Sequence, residues 1–239
     1  MIFNKLIKQE KDVINLITKH LKDQKHFLVT YLNQHCFNIY NSNSEYKYLL
    51  DNNFIVFLDG FGVYAALKFL GYKRVQKFNA TDLYSKIFQS FSINKTKIFL
   101  IGSNFSNQII FQKSEEKNLN FCGYQNGYFN DKVLDKMIES INIASPEVII
   151  IGMGLPGQEI LAAKISELNI NIPILCIGGF LEFYFGTKTR APKMLRMAGM
   201  EWLHRLLSEP GRLWKRYLIG IPRFLFHIIK MKFWIPAGK

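Results

Sequence analysis

The chain has 239 residues, of which 31 are Lys or Arg and 18 are Asp or Glu, and its net charge is +13. Hydrophobic residues make up 49% and aromatic residues 15%, which supplies a large core and excludes a disordered or low-complexity chain. The three cysteines are scattered and the first twenty residues mix charges into every turn, so we expect a cytoplasmic protein without a disulfide framework or a signal peptide.

Short apolar runs alternate with helical segments along most of the chain. Strands are predicted at His26–Thr30, Phe54–Leu58, Lys97–Ile101, Leu119–Cys122, Glu147–Ile151 and Ile172–Ile177. Helices are predicted at Gly62–Leu70, Asp82–Phe91 with Thr81 as its N-cap, Lys132–Ile141 and Gln158–Leu168. This alternation predicts an α/β fold with a Rossmann-like, mostly parallel sheet and helices on both faces.

Candidate binding residues lie directly after the predicted strands, because an open parallel sheet binds ligands beyond the carboxyl ends of its strands. Asp59 follows the apolar run IVFL, where partial burial would raise its pKa toward the range of a general base. A turn or helix-capping aspartate explains this position equally well. The other candidates after the strands are Thr30, Asn33, Gly102, Gly127, Gly152, Gly154, Gln158, Glu159, Gly178 and Gly179.

The segment from Gly152 to Gln158 is similar to a phosphate-binding turn between a strand and a helix, although a plain tight turn fits as well. It lacks the third glycine of a dinucleotide fingerprint, and the chain has no GxxxxGK[ST] motif. Asp82 is interpreted as a residue in the first turn of a helix. No two aspartates have DxD spacing, so arginines, lysines or helix N-termini would have to neutralise a diphosphate.

Metal and nucleophile motifs are missing from the sequence. The five histidines form no HxxxH or HxH pattern, and no GxSxG motif occurs. We therefore expect no metal site and no cofactor, and a transfer reaction that uses a base and an electrostatic clamp.

Most of the positive charge lies near the C-terminus. Residues 188–239 contain 12 basic and two acidic residues, against 19 and 16 in residues 1–187. From Arg212 onward, large apolar residues from Trp214 to Trp234 alternate with basic ones, a pattern typical of a segment in a membrane interface. A protein-partner surface and nucleic acid are the alternatives. We expect an α/β body at 1–187 and a basic helical appendage at 188–239, without a transmembrane helix.

Taken in order, several motifs resemble the WecG/TagA/CpsF family of bacterial glycosyltransferases, glycosyltransferase family 26. They cover roughly Phe27 to Tyr217, and the most specific are PGQE, RAP and EWLHRLLSEP. The motifs are FLDGFGV, FNATDL, IFLIGS, GYQNGYF, IIIGMGLPGQE, IGGFLEFYFGTKTRAP and GMEWLHRLLSEPGRLWKRY. Two departures stand out: Thr30 and Asn33 are separated by two residues where the family often has one, and Gly157 replaces a common basic residue.

The resemblance implies an inverting, metal-independent transfer of a hexose unit, such as N-acetylmannosamine or its uronic acid, from a UDP-sugar. The acceptor would be a sugar linked to polyprenyl diphosphate at the inner face of the cytoplasmic membrane. Asp59 would deprotonate the acceptor, and the Gly152–Gln158 turn would bind the UDP moiety. Arg190, Arg205, Arg212 and Arg216 are the candidates for stabilising the leaving group.

Two other functions remain open at this point. A nucleotide-binding α/β protein that is not a glycosyltransferase would bind its nucleotide without the transfer, and a basic nucleic-acid-binding module would show steeply salt-dependent binding. The expected partners are the donor, the lipid-linked acceptor and an anionic membrane surface, without nucleic acid. A homo-oligomer is a further possibility, since a subunit interface would also cover an apolar tail.

Overall fold

The protein is described here by a computed structural model, which covers residues 2–129, 131–168 and 170–233. Trp234, predicted as part of the apolar tail, therefore lies outside the described residues. Six strands within the described ranges form one sheet in the order β2-β1-β6-β5-β3-β4, and every neighbouring pair is parallel. The strands are β1 Leu28–Leu32, β2 Phe54–Leu58, β3 Lys97–Gly102, β4 Asn120–Gln125, β5 Val148–Gly152 and β6 Ile174–Cys176.

Helices connect the strands and surround the sheet. They are α1 Ile2–Lys5, α2 Glu10–Lys22, α3 Gln34–Tyr40, α4 Ser44–Asn52, α5 Gly60–Phe69, α6 Ala80–Asn94, α7 Asn107–Lys117, α8 Asp131–Ala144, α9 Gly157–Glu167, α10 Phe180–Tyr184, α11 Lys193–Met197, α12 Glu201–Ser208, α13 Pro210–Trp214, a π-helical turn Lys215–Ile219 and α14 Gly220–Phe233. The predicted α/β class and the parallel sheet are confirmed.

The interior strands consist of apolar residues without alternation because both of their faces are covered. All five residues of β1 and of β5 are buried, although β1 contains a threonine. A parallel strand between two helical layers has no solvent-facing side, so it favours β-branched and aliphatic residues throughout. The core therefore lies on both sides of the sheet, and polar groups gather at its carboxyl edge.

Two local predictions are corrected. The first strand runs from Leu28 to Leu32, so Thr30 lies in the middle of a buried strand and Asn33 is the residue that follows it. The N-cap of α6 is Asn79 and not Thr81, because the Asn79 side chain accepts a hydrogen bond from the backbone N–H of Asp82 at 2.8 Å. Asp82 does lie in the first turn of that helix, as predicted.

The C-terminal helices pack against the body of the protein. Phe224 and Ile228 of α14 are buried, and the Phe224 ring meets the ring of Phe37 edge-on with centroids 5.5 Å apart. The Asn38 side chain donates a 2.7 Å hydrogen bond to the carbonyl of Gly220, where the π-helical turn passes into α14. Within the described ranges, no helix has the length and apolar content to cross a membrane.

Candidate active site

Two adjoining clefts open at the carboxyl edge of the sheet. The large cleft, of about 1670 Å³, extends from Asp59 between α5 and α14. The small cleft, of about 740 Å³, lies over the ends of β3, β5 and β6 and contains Gly127, Gly152 and Gly154. Six of the described residues line both clefts and therefore mark their junction: Tyr31, Gly179, Glu182, Arg212, Leu213 and Arg216.

Asp59 lies at the end of β2, on the wall of the large cleft. One carboxylate oxygen accepts the backbone N–H of Ala80 at 2.8 Å, and the other accepts the side-chain amide of Asn33 at 3.2 Å. Burial raises the pKa of Asp59, while these two hydrogen bonds and the nearby Arg205 act in the opposite direction. The result is a fixed, partly desolvated carboxylate with a raised pKa, suited to accepting a proton from a ligand in the cleft.

Five arginines of the described C-terminal segment line the clefts: Arg196, Arg205, Arg212, Arg216 and Arg223. Arg205 of α12 pairs with Glu201 at 2.8 Å and stacks on the ring of Phe183, with 4.7 Å to the ring centroid. Arg212 of α13 pairs with Glu209 at 2.6 Å. Arg216 forms no ion pair with any carboxylate of the described residues, and its buried Nε lacks a hydrogen-bond partner there. A guanidinium without a counterion at the junction is suited to binding an anion.

Backbone atoms form much of the small cleft because its wall carries glycines. Gly127, Gly152, Gly154, Gly178 and Gly179 line it. Gly102 lies just behind this wall with φ +119°, and a Cβ there would collide with the backbone of Gly152. The ends of β3 and β5 therefore approach closely only without side chains, which leaves room for a ligand against the backbone.

A buried polar layer lies beneath the clefts. The Thr30 hydroxyl donates to Glu159 Oε1 at 2.7 Å, and the Gln158 amide donates to the same oxygen at 2.9 Å. The side-chain oxygen of Gln158 accepts the backbone N–H of Gly178 at 3.0 Å. Burial raises the pKa of Glu159 to about 7, although the hydrogen bonds from Thr30 and Gln158 oppose this rise.

Thr30, Gln158 and Glu159 were expected to contact a ligand, but their side chains do not line either cleft. Each is buried and engaged in the polar layer. This position does not support a direct contact from the Gln158 amide to a nucleotide or sugar. Instead, the layer supports the backbone of Gly178, which does line the small cleft.

Asp82 and Arg190, two further predicted site residues, are paired with each other. Asp82 Oδ1 accepts from Arg190 at 2.6 Å, and Arg196 lies 3.6 Å from the same oxygen. Asp82 lines the large cleft, whereas Arg190 does not. Their pairing attaches the start of the C-terminal segment to the first turn of α6.

The structure thus brings together Asn33, Asp59 and the three arginines Arg205, Arg212 and Arg216 around one junction. At the end of β1, the sequence prediction missed two of the residues that line the clefts. Tyr31 lines both clefts, and His35 lines the small cleft. Burial and the charge of Arg216 lower the pKa of His35 to about 4, so it is neutral near pH 7. Their position in the sequence was the available signal, because Tyr31 and His35 lie two residues before and two residues after Asn33.

Metal ligands do not cluster in the part of the chain that the structure describes: no group of three His, Cys, Asp or Glu side chains is suitably placed.

A fixed carboxylate and a guanidinium without a carboxylate partner among the described residues lie where two clefts adjoin, an arrangement suited to the transfer of a group between two bound substrates. The chain belongs to the glycosyl transferase WecG/TagA/CpsF family, whose family model matches residues 3–237. One similar protein is the N-acetylglucosaminyldiphosphoundecaprenol N-acetyl-beta-D-mannosaminyltransferase of Bacillus spizizenii. It is 25% identical over 193 residues, which cover 79% of this chain and 73% of that protein. The family resemblance found in the motifs is confirmed.

Proposed function

We propose that this protein transfers N-acetylmannosamine, or a closely related hexose, from a UDP-sugar to N-acetylglucosamine linked to polyprenyl diphosphate. The observation that carries the proposal is the partly buried Asp59 carboxylate beside a junction lined by Arg212 and Arg216. The family and the named activity of the Bacillus relative support the sugar and the acceptor class.

The small cleft is the proposed site of the UDP moiety. Its glycines leave backbone groups open to a phosphate, and Arg216 is without a carboxylate partner among the described residues. Arg212 lines the same cleft from α13. A diphosphate bound here would receive hydrogen bonds from the backbone and charge from the guanidinium groups.

The large cleft is the proposed site of the acceptor. It contains Asp59 near the junction, and it continues between α5 and α14 past Phe69, Leu225 and Ile229. A polar wall that passes into an apolar one suits an amphiphile with a sugar at one end and a hydrocarbon chain at the other.

The proposed reaction is a single displacement. Asp59 accepts the proton of the attacking acceptor hydroxyl as its oxygen bonds to the anomeric carbon of the hexose. The bond from that carbon to the UDP oxygen breaks on the opposite face, so the configuration inverts. Arg205, Arg212 and Arg216 would stabilise the negative charge that develops on UDP, in place of a metal ion.

Turnover by purified protein tests this function. The protein is incubated with a panel of UDP-sugars and with N-acetylglucosamine linked to polyprenyl diphosphate, in the presence and absence of EDTA. The mass of the acceptor is then measured by mass spectrometry. We expect a gain of one hexose unit from one donor, no effect of EDTA, and an inverted anomeric configuration by NMR. No gain with any donor would reject the proposal and favour the other nucleotide-binding class.

Asp59→Asn tests the base. The variant keeps the shape of the side chain but cannot accept the proton, so kcat should fall by about 10²–10⁴-fold. Asp51→Asn is the matched control, because the Asp51 carboxylate accepts hydrogen bonds from Tyr40 and lines neither cleft. Near-normal turnover of Asp59→Asn would rule out this role.

Contact with an anionic membrane surface is the second part of the proposal. Leu225, Phe226 and Ile229 of α14 are at least half exposed, while Arg223 and Lys230 lie on the same helix. Apolar groups enter the interface, and basic groups gain about 1 kcal/mol each near anionic lipids. The protein would therefore work at the inner face of the cytoplasmic membrane.

Flotation with lipid vesicles checks the membrane contact. We expect co-flotation with vesicles containing phosphatidylglycerol, and its loss in Phe226→Asp, with unchanged transfer to a water-soluble acceptor. Absence of flotation, with a dimer in gel filtration that Phe226→Asp dissociates, would instead assign this face to a subunit interface. Retention on DNA or RNA without lipid binding would favour nucleic acid.

A further inference from the structure

Tyr31 is the one position of β1 whose side chain lines both clefts among the described residues. It lies two residues before Asn33, whose amide holds Asp59. The residue therefore lies between the proposed UDP site and the proposed acceptor site. The hexose has to be at this place when it is transferred from UDP to the acceptor.

The neighbours of Tyr31 fix the position of its ring. The ring packs against Phe57 of β2, with centroids 6.5 Å apart. Gly178 lies beneath the hydroxyl, and a Cβ on Gly178 would collide with the phenolic oxygen. The backbone of Gly178 is itself held by Gln158 of the polar layer. The phenol therefore lies between Phe57 and Gly178 with little space to move.

The hydroxyl of Tyr31 makes no hydrogen bond to any of the described residues. The buried hydroxyls of Tyr84 and Tyr40 do find partners, the Cys176 carbonyl at 2.8 Å and Asp51. The Tyr46 hydroxyl also has no partner among the described residues, but it is enclosed in the core and borders neither cleft. Tyr31 is only 9% exposed, and both clefts border it, so its open oxygen faces the junction. A nearly buried hydroxyl without a protein partner is suited to a bound ligand.

The phenol is a neutral donor under ordinary conditions. Burial and the nearby Cys36, Glu159 and Asp59 raise the pKa of Tyr31 well above its usual range, against a smaller effect of Arg216. The hydroxyl therefore keeps its proton, and it pairs well with a sugar hydroxyl or an acetamido oxygen.

We propose that Tyr31 is a substrate-positioning residue whose hydroxyl hydrogen-bonds the hexose of the donor and directs its anomeric carbon toward the acceptor. This inference rests on the proposed function. The hexose is favoured over UDP because the uridine would lie on the glycine wall and Arg212 and Arg216 would hold the diphosphate, which leaves the phenol to the hexose.

Tyr31→Phe removes this hydroxyl and keeps the ring. The affinities for UDP and for UDP-N-acetylmannosamine are measured by calorimetry, so the result does not depend on turnover. We expect the variant to bind the UDP-sugar about tenfold more weakly and UDP as tightly as the unchanged protein, with kcat/KM for the donor lowered by a similar factor. Unchanged UDP binding also shows that the variant is folded.

Tyr46→Phe is the matched control. Tyr46 of α4 is fully buried, its hydroxyl lies in the core, and it lines neither cleft, so its removal should leave both affinities unchanged. Equal UDP-sugar affinity in Tyr31→Phe would overturn the inference. Equal losses for UDP and UDP-sugar, or a loss confined to the acceptor KM, would also overturn it. Failure of the unchanged protein to bind any UDP-sugar would reject the proposed function itself.

Discussion

The hydroxyl of Thr30 donates a 2.7 Å hydrogen bond to Glu159 Oε1 and thereby joins β1 to α9 beneath the two clefts. The other carboxyl oxygen of Glu159 is buried without a hydrogen-bond partner among the described residues. A charged carboxylate in this environment would be costly, so the neutral acid is stabilised relative to its state in the unfolded chain.

We predict that Glu159 makes the protein less stable as the pH rises from about 4.5 to 7. The pKa of Glu159 rises from 4.5 to about 7 on folding. Between these values the unfolded state ionises first and binds fewer protons, so the free energy of unfolding falls, by about 3 kcal/mol. Above pH 7 both states are ionised, and this contribution becomes constant.

Urea unfolding of Glu159→Gln at pH 5 and pH 8 measures this effect. The amide imitates the neutral acid and does not ionise. The difference in the free energy of unfolding, variant minus unchanged protein, should therefore be larger at pH 8 than at pH 5. Glu167→Gln, at the exposed end of the same helix, is the control and should show no such gain. An equal difference between Glu159→Gln and the unchanged protein at both pH values would contradict the prediction.

Asn33→Asp should move the acidic limb of the pH profile of kcat/KM to higher pH. The Asn33 amide donates to Asp59 and lowers its pKa, while the Asn33 side-chain oxygen caps α3. Aspartate keeps the cap but replaces the donor with a negative charge, so the pKa of Asp59 should rise further. The base would then ionise only at higher pH.

The profile is recorded under donor-saturated conditions with limiting acceptor. Asn43→Asp serves as the control, because Asn43 caps α4 in the same way but lines neither cleft. A profile of Asn33→Asp that coincides with that of the control would show that Asp59 does not limit the acidic limb.

The ion pair between Asp82 and Arg190 should affect turnover by holding the C-terminal segment in place. Burial works to raise the pKa of Asp82, but the hydrogen bonds from Arg190 and Asn79 outweigh it, and the pKa is lowered. Its stabilising contribution is present above about pH 4 and is lost as the pH falls through the lowered pKa. Because the pair is partly exposed, we expect its loss to cost about 1 kcal/mol or less.

A double-mutant cycle tests this role. Asp82→Asn and Arg190→Gln should each lower kcat by up to about fivefold, and the double variant should be no worse than either, since both remove the same attachment. The affinity for UDP should stay nearly unchanged in all three. Additive losses of kcat would mean that the two residues act separately. Normal kcat in both single variants would show that turnover does not depend on the ion pair.

Local sequence patterns predicted much of the fold. Apolar runs such as Phe54–Leu58 indicate buried strands. Asp59 directly follows that run, and this position predicts that it lies at the carboxyl edge of the sheet. The charge of the tail and its alternation with apolar residues likewise need no coordinates.

The roles of individual polar residues could not be predicted in the same way. Thr30 was expected at a strand end, but β1 continues to Leu32, and a shift of two residues moves the threonine into the interior. The same extension brings Tyr31 to the cleft junction. The depth of a residue below the carboxyl edge depends on where its strand ends, and pairing with strands that are distant in sequence decides this.

The sequence by itself determined the α/β class, the carboxylate at the end of β2 and a basic, apolar C-terminal segment, because these follow from local periodicity and composition. Only the tertiary structure decided which polar groups are buried and which tail arginine faces the clefts without a carboxylate. Arg212 meets Glu209 three residues away, a pair that residue spacing alone allows, whereas Arg216 faces the junction without a carboxylate from the described residues. The surroundings of Arg216 depend on the packing of distant segments in space, which residue spacing along the chain does not define.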